Sequence, residues 1–459
     1  MDVPGLRQRC RGEVLLPGDE GYERARVVWN GNVDRHPSVL VRCERTEDVV
    51  AALSFARDCE LEVSVRGGGH SFAGFGLSEG GVTIDLTMMR SVVVDSSARR
   101  ARCGGGTTWA ELDAAGQRYG LAVPGGMVSH TGVAGLTLGG GVGWLTRKLG
   151  LSCDHLSGAE VVTADGRIVH VSARENPELL WGLRGGGGNF GVVTSLEFAL
   201  SEVGPAGWYA MCCWGIETAP AVLRLVRELC RALPDEVAVL VNGMSAPVAP
   251  FVPERFRCMP VIAVVVAGFA GMEEPTEVIA RLISVAPPLF EVRDSVQYAR
   301  LQRMFDESAV WGMHTYQKGL YLDELSDDVI DLIVERLPEK HSVHTTLFIL
   351  ALGGEFSRVP EDDTAFGGSR KARFVVNIQG TTATAEELTP ERDWVRSLWH
   401  ALTPYAHTAG YVNFMSDYQQ DQVRASYGAA KYARLTRLKA MWDPHNIFHL
   451  NVNISPGGE

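Results

Sequence analysis

The chain has no C-x-x-C pair among its nine cysteines, an odd number spread from Cys10 to Cys258. A disulfide framework and a zinc site are therefore not expected. It has no excess of positive charge: 43 Lys+Arg stand against 55 Asp+Glu, a net charge of -12. Nucleic acid and anionic membrane surfaces need a basic footprint that this balance does not supply. No apolar run is long enough to span a bilayer; Met259 to Ala270, followed by Gly271 and Met272, reads instead as a buried strand. The first thirty residues carry charges throughout and lack the apolar stretch of a secretory signal, so a reduced, cytoplasmic, soluble protein is expected. Neither G-x-x-x-x-G-K-[ST] nor H-E-x-x-H occurs, which closes the P-loop and zinc-protease routes. Apolar residues make up 46% and charged residues 21%, a globular composition. At about 100–200 residues per domain, the 459 residues suggest two or three domains.

Glycine is what the chain has in abundance: 51 residues, crowded into Leu61–Gly143 and again into Gly182–Gly191. Three glycine-rich loops stand beside strands: Arg66–Phe72, Pro124–Gly143 and Gly185–Gly191. Consecutive glycines let backbone N–H groups converge on an anion, and several such loops together suit a large diphosphate cofactor. Gly186–Gly191 fits G-x-G-x-x-G, but Val192–Phe198 after it reads as a strand where a Rossmann site needs a helix. Hydrophobic spacing predicts helices over Thr46–Cys59 and Thr108–Tyr119 and strands over Leu61–Val65, Val82–Leu86 and Val192–Leu200. Ala164-Asp165-Gly166 signals a hairpin between Glu160–Thr163 and Ile168–Val171. From about Pro205 to Gly410 glycine is ordinary. Strands at Val237–Val241, Ile262–Val266 and Phe374–Gln379 alternate there with helices such as Asp327–Arg336. A basic helix over Ala429–Met441 follows. The pattern suggests one domain built from both ends of the chain, with a second inserted.

Several ordered motifs carry a resemblance. Arg66-Gly-Gly-Gly-His70-Ser71 with Ile84-Asp85-Leu86, Gly132-Val-Ala-Gly135 with Gly139–Gly143, Gly150-Leu-Ser-Cys-Asp154 and Gly188-Asn-Phe-Gly191 are followed by Tyr411-Val-Asn413, Tyr427-Gly428, Tyr432-Ala-Arg434 and Trp442–Phe448. The chain resembles the vanillyl-alcohol-oxidase/p-cresol-methylhydroxylase superfamily of FAD enzymes, and is most similar to its berberine-bridge-enzyme-like branch. The fold this implies is α+β: a two-lobed FAD-binding domain of the PCMH type, with an inserted α+β substrate domain carrying an antiparallel sheet. The FAD-binding domain takes 1–204 and 411–459, the substrate domain 205–410.

The resemblance also implies roles. FAD is expected to be bonded once, through the imidazole of His70, to the flavin 8α-methyl. A second, cysteinyl link is not expected, because Val128 holds the position where some relatives have the cysteine. Thr131 falls at the family's oxygen gate, and its small side chain tilts the reading towards an oxidase. The remaining cofactor contacts are expected from Arg66, Gly67, Gly68, Gly69, Ser71, Pro124, Gly125, Gly126, Gly132 and Gly135, and from Gly141, Asp154, Asn189, Gly191, Val193 and Asn451. Tyr316 and Lys318 alternate by two and so share one strand face, which should roof the flavin, with either of them as the base. His314 joins that face and, with His130, is expected to meet substrate. Tyr411 and Asn413 complete the expected catalytic set. The arginine that many relatives carry three residues after Thr364-Ala365-Phe366 is here Ser369, with Arg370 following. The expected activity is hydride transfer from a C–H of a small cyclic or aromatic alcohol, amine or secondary metabolite to flavin, then to O2 giving H2O2. The alternative is a dehydrogenase with another electron acceptor. No metal, nucleic acid or membrane is expected as a partner, and self-association as a homodimer is left open.

Overall fold

The computed structural model describes residues 1–204, 206–269, 276–407 and 410–457. Pro205, where the sequence changes texture, and Ala270, Gly271 and Met272, at the end of the long apolar run, lie outside the described residues. Within that run Pro260–Phe269 is a buried strand, while Met259 just before it is exposed.

The first 200 residues form two sheets with helices between them. One is four-stranded, in the order Glu13–Leu15, Val39–Arg42, Val82–Asp85, Val63–Arg66, with the last three strands parallel. Its helix, Thr46–Asp58, is anchored by Asp48, a fully buried carboxylate that accepts from the backbone N–H of Arg11, Gly12 and Glu44. The other sheet is five-stranded and antiparallel, in the order Val92–Asp95, Arg100–Gly104, Val192–Ala199, Leu156–Val162, Ile168–Ser172. The predicted hairpin closes as expected: Gly166 turns at φ +87° and Thr163 N–H bonds the Arg167 carbonyl at 2.9 Å. Helix Trp109–Gln117 starts at a capping box of Thr108 and Glu111.

A seven-stranded, wholly antiparallel sheet follows, in the order Phe290–Gln297, Ala206–Gly215, Pro260–Phe269, Val237–Ser245, Thr346–Ala351, Phe374–Thr382, His314–Leu322. Helices Ala219–Leu229, Asp327–Arg336 and Leu388–Leu402 cover one face. Alternation along the strands decides what each face carries. Val239, Val241, Ile349, Val376, Tyr316 and Leu320 pack into the core beneath those helices. Leu240, Leu350, Val375 and Tyr321 face the other way, into the core shared with the glycine-rich loops.

The C-terminal segment returns to those loops. Asn189 donates to the Val452 carbonyl at 3.1 Å and accepts from Ile454 N–H at 3.0 Å. Lys439, fully buried, reaches Asp443 at 2.7 Å and the carbonyls of Asn189 and Phe448, each at 2.9 Å. These bonds pin helix Ala429–Trp442 and the tail behind the Gly185–Gly191 loop. No helix among the described residues is long and apolar enough to cross a membrane.

Candidate active site

The glycine loops and the uncovered face of the seven-stranded sheet enclose a cavity of about 1360 Å³. Arg66 ends its strand, and the chain then turns through Gly69 at φ +73° to deliver His70 to the cavity wall. The second loop crosses so closely that a Cβ on Gly68 would stand 2.3 Å from the Gly132 nitrogen. Only glycine fits at that crossing.

His70 is held by three rings. Trp29 stacks on it at 5.1 Å and 19°, Trp311 meets it edge-on at 5.7 Å, and its Nε2 lies 2.6 Å from Nδ1 of His130. His70 Nδ1 is left without a partner among the described residues. Burial, with the His130 ring as the lesser cause, pushes the His70 imidazole down to about 3. The ring is therefore neutral at physiological pH, as a nitrogen nucleophile must be. Asp306 fixes the second loop beneath His130, accepting from Ser129 N–H at 2.8 Å and from its hydroxyl at 2.6 Å.

The wall fits a large cofactor. Gly135 and Gly188 line it with nothing within 4 Å of where a Cβ would point, so side chains there would fill the cavity. Asn451 also lines it; its amide donates to the Gly188 and Phe448 carbonyls, and its Oδ1 is a buried acceptor without a partner among the described residues. Arg66, largely buried, leaves its Nε unpartnered in the same way. Ser71, Gly126, Thr131, Gly132, Gly191 and Val193 are on the wall as well.

Five of the residues expected around the cofactor are not on the cavity wall: Pro124, Gly125, Gly141, Asp154 and Asn189. Asp154 is instead half of a buried, two-pronged ion pair with Arg370, at 2.9 and 2.6 Å, whose guanidinium lies over Phe356 and Phe366. Arg370, one place beyond the family's arginine position, thus locks the loop that Asp154 ends. Asn189 clamps the tail, as described above. Pro124 accepts the Ser152 hydroxyl through its carbonyl at 2.5 Å, and Gly125 abuts the Trp109 ring.

The expectation for Tyr316, Lys318 and His314 is overturned in a regular way. They do share a strand face, but it is the face turned from the cavity. Tyr316 donates to Asp417 at 2.9 Å and accepts from Arg396 at 3.0 Å, while Lys318 is paired with the Asp417 carboxylate and its carbonyl. Burial opposes the Asp417 charge, but the hydrogen bonds from Lys318 and Arg396 outweigh it and hold the carboxyl below its ordinary range. Burial raises the Tyr316 phenol to about 12. His314 pairs across from Thr382 at the strand's outer end, with Nδ1 buried and unpartnered among the described residues.

Gln317, between Tyr316 and Lys318, takes the inward direction. It donates to the Asn413 carbonyl at 3.2 Å and accepts from Asn377 at 3.0 Å. Tyr411 and Asn413 do reach the cavity, and they touch: Asn413 donates to the Tyr411 hydroxyl at 2.9 Å and to the Leu136 carbonyl at 3.0 Å, and Gly141 N–H donates to Tyr411 at 2.7 Å. Burial raises the Tyr411 phenol to about 12, so it keeps its proton. Sequence reasoning missed Asn242, Asn377, Gln379 and Phe348 on the sheet face and Trp29 at His70. A carboxamide interrupting an apolar strand, as in Phe374-Val-Val-Asn-Ile-Gln379, was the available signal; Trp29 had none.

Comparison with known proteins identifies the family. A model for the FAD binding domain matches 37–172, and a model described as berberine and berberine like matches 410–455. The (R)-6-hydroxynicotine oxidase of Paenarthrobacter nicotinovorans is 31% identical over 477 residues, covering 98% of this chain and 97% of its own. The crystal structure of 6-hydroxy-D-nicotine oxidase from Arthrobacter nicotinovorans superposes with a TM-score of 0.85 at 28% identity, over 97% of this chain and 98% of that one. A glucooligosaccharide oxidase from Acremonium strictum, described with a 6-S-cysteinyl, 8α-N1-histidyl FAD, shares the fold at 22% identity, with a TM-score of 0.87 over the whole of both chains. With two glycine loops crossing at His70, a C-terminal Tyr411/Asn413 pair and an antiparallel sheet closing the cavity, the chain belongs to the berberine-bridge-enzyme-like family of FAD-linked oxidoreductases.

Proposed function

We propose that this FAD-linked oxidoreductase is an oxidase that carries its flavin on His70 alone and dehydrogenates a small cyclic or aromatic alcohol or amine, with O2 as the final acceptor. The observation that carries the reading is His70: neutral, gripped at Nε2 by His130, with Nδ1 uncommitted at the wall of a cavity built from glycine loops. Val128, on that wall, cannot form the cysteinyl bond of the glucooligosaccharide oxidase. When bound, the flavin supplies a hydride acceptor and returns the electrons to O2 as hydrogen peroxide.

This chain's own residues do the rest. Gly68, Gly132, Gly135 and Gly188 leave room for the cofactor's backbone approach. Tyr411 accepts two hydrogen bonds and retains its proton, so its hydroxyl can donate a hydrogen bond that orients a substrate oxygen or nitrogen. Asn413 fixes that hydroxyl. Thr131 on the wall leaves space beside the glycines for a molecule as small as O2. Residues 1–204 with 411–459 bind the cofactor and 205–410 the substrate. All nine cysteines are unpaired, which supports a reducing, cytoplasmic location.

Acid precipitation of the purified protein tests the reading. Flavin fluorescence should stay with the washed wild-type pellet and leave the pellet of His70→Ala. Peroxide release should follow substrate addition. A colourless wild-type pellet under a yellow supernatant would remove the covalent link, and a protein devoid of flavin would sink the whole reading.

A further inference from the structure

The sheet face that closes the cavity bears a row of carboxamides whose orientation is forced. The Asn413 carbonyl can only accept a hydrogen bond, so the group 3.2 Å from it is the Gln317 NH2. Gln317 then presents its oxygen, which accepts from the Asn377 NH2 at 3.0 Å. Asn377 is left with its oxygen as the free end of the relay. That Oδ1 is buried, has no partner among the described residues, and belongs to a residue on the cavity wall that is only 5% exposed. A buried acceptor without a donor is costly unless something supplies one.

Its neighbours are set by register. Asn377 stands directly across from Phe348, and Phe348 across from Asn242. Asn242 is equally buried and also has a buried, unpartnered Oδ1. With strands about 4.8 Å apart, the two carboxamides lie about 10 Å apart with the Phe348 ring between them. Of the charged side chains lining the cavity, Arg300, Arg303 and Glu307 are exposed and Arg66, which is buried, stands at the glycine loops and not on this sheet, so the buried sheet face is neutral.

We propose that Asn377 Oδ1 is the substrate-orienting acceptor of this enzyme: it selects a neutral planar ring lying on Phe348 that carries an O–H or N–H donor, and rejects ethers and carboxylates of the same shape. Gln317 is the positioning residue that polarises Asn377. The assignment rests on the oxidase reading for its setting, and it deepens that reading by naming the donor that substrate must bring. An anion there would face the carbonyl lone pairs, and an ether would leave them unpaired.

Calorimetric titration of the purified protein with phenol, anisole and benzoate tests this without turnover. Phenol should bind about tenfold more tightly than anisole, the size of one buried hydrogen bond, and benzoate more weakly than both. Asn377→Leu should erase the preference for phenol over anisole. Gln317→Met should shrink it, since Asn377 is then free to turn its amide over. A merely structural effect would shift both probes alike and leave their ratio intact. Equal affinities in the wild type, no binding of either probe up to the solubility of anisole, or a preference that survives Asn377→Leu would each overturn the assignment. Calorimetry reads binding whether or not flavin is attached, so failure here is distinguishable from failure of the acid-precipitation test.

Discussion

The two faces of strand His314–Leu322 carry different chemistries one residue apart. Outward, Tyr316 and Lys318 meet Asp417 and Arg396 in an ionised cluster beneath helix Leu388–Leu402. Inward, Gln317 meets Asn377 and the Asn413 carbonyl with no formal charge at all. The ionisable residues look like the catalytic ones by type, yet they hold the sheet to its helix and to the C-terminal segment. Half-exposed Asp417 can be charged at modest cost, because water still reaches it. A carboxamide in the closed cavity needs no counterion. On this strand the charged cluster includes a carboxylate that water still reaches, and the carboxamide of Asn377 lines the cavity.

Mutations can break or sharpen this contrast. The largest effect should come from neither face but from the loop crossing that both depend on. Gly132→Ala places a Cβ 2.4 Å from the Gly68 nitrogen. Backbone on both sides cannot give, so a loss of more than about 3 kcal/mol is expected, together with flavin-free protein, read by denaturant melts and absorbance. Asp417→Ala should cost about 1–3 kcal/mol, because Lys318 is left nearly buried and unpaired. The phenol-to-anisole ratio should not move. Lys318→Met should cost about 1 kcal/mol and leave kcat within severalfold; a hundredfold fall would place the base on the outward face after all and dissolve the contrast.

Two buried titratable groups sharpen it through pH. His70 is held at about 3 against an ordinary 6.5. Below pH 6.5 the unfolded chain takes a proton that folded His70 refuses. Stability of the flavin-free protein should therefore fall as pH drops from 6.5 towards 3, by up to about 1.4 kcal/mol per pH unit. Subtracting the His70→Ala melting profile isolates that slope. The same linkage with the opposite sign holds at Asp113, fully enclosed, where burial raises the carboxyl to about 7 despite a 3.1 Å hydrogen bond from Gln302. Its folded value exceeds its unfolded one, so its contribution is fully present below pH 3.8 and fades as pH rises through 7. Asp113→Asn should flatten that loss, raising the melting temperature at pH 8 relative to pH 5 by a few degrees.

Local chemistry made much of the molecule legible beforehand. Helix Thr46–Asp58 announced itself by apolar spacing and acidic first-turn residues, the Asp165-Gly166 hairpin by its turn residues, and strand Val192–Ala199 by its hydrophobic pattern. The glycine loops were legible because positive φ and close backbone approach admit almost nothing but glycine, whereas His70 stood out only through the ordered motif it belongs to. Asp154 misled for the opposite reason. Its partner Arg370 lies 216 residues away, and no local pattern says that a carboxylate will be spent on an ion pair rather than on a cofactor.

Short-range backbone preference and ordered motifs are enough to specify the loops, the strand alternation and the family. Which side of the alternation faces the cavity is a matter of packing between distant elements. Period two makes Tyr316/Lys318 and Thr315/Gln317 equivalent along an isolated strand. The helix Leu388–Leu402 breaks that equivalence by burying one face, with Trp394, Val395 and Leu398 packed in the core that takes in Tyr316 and Leu320. Covering one side with a helix left the other to the cavity, which is why Asn377 lines it and Tyr316 and Lys318 do not.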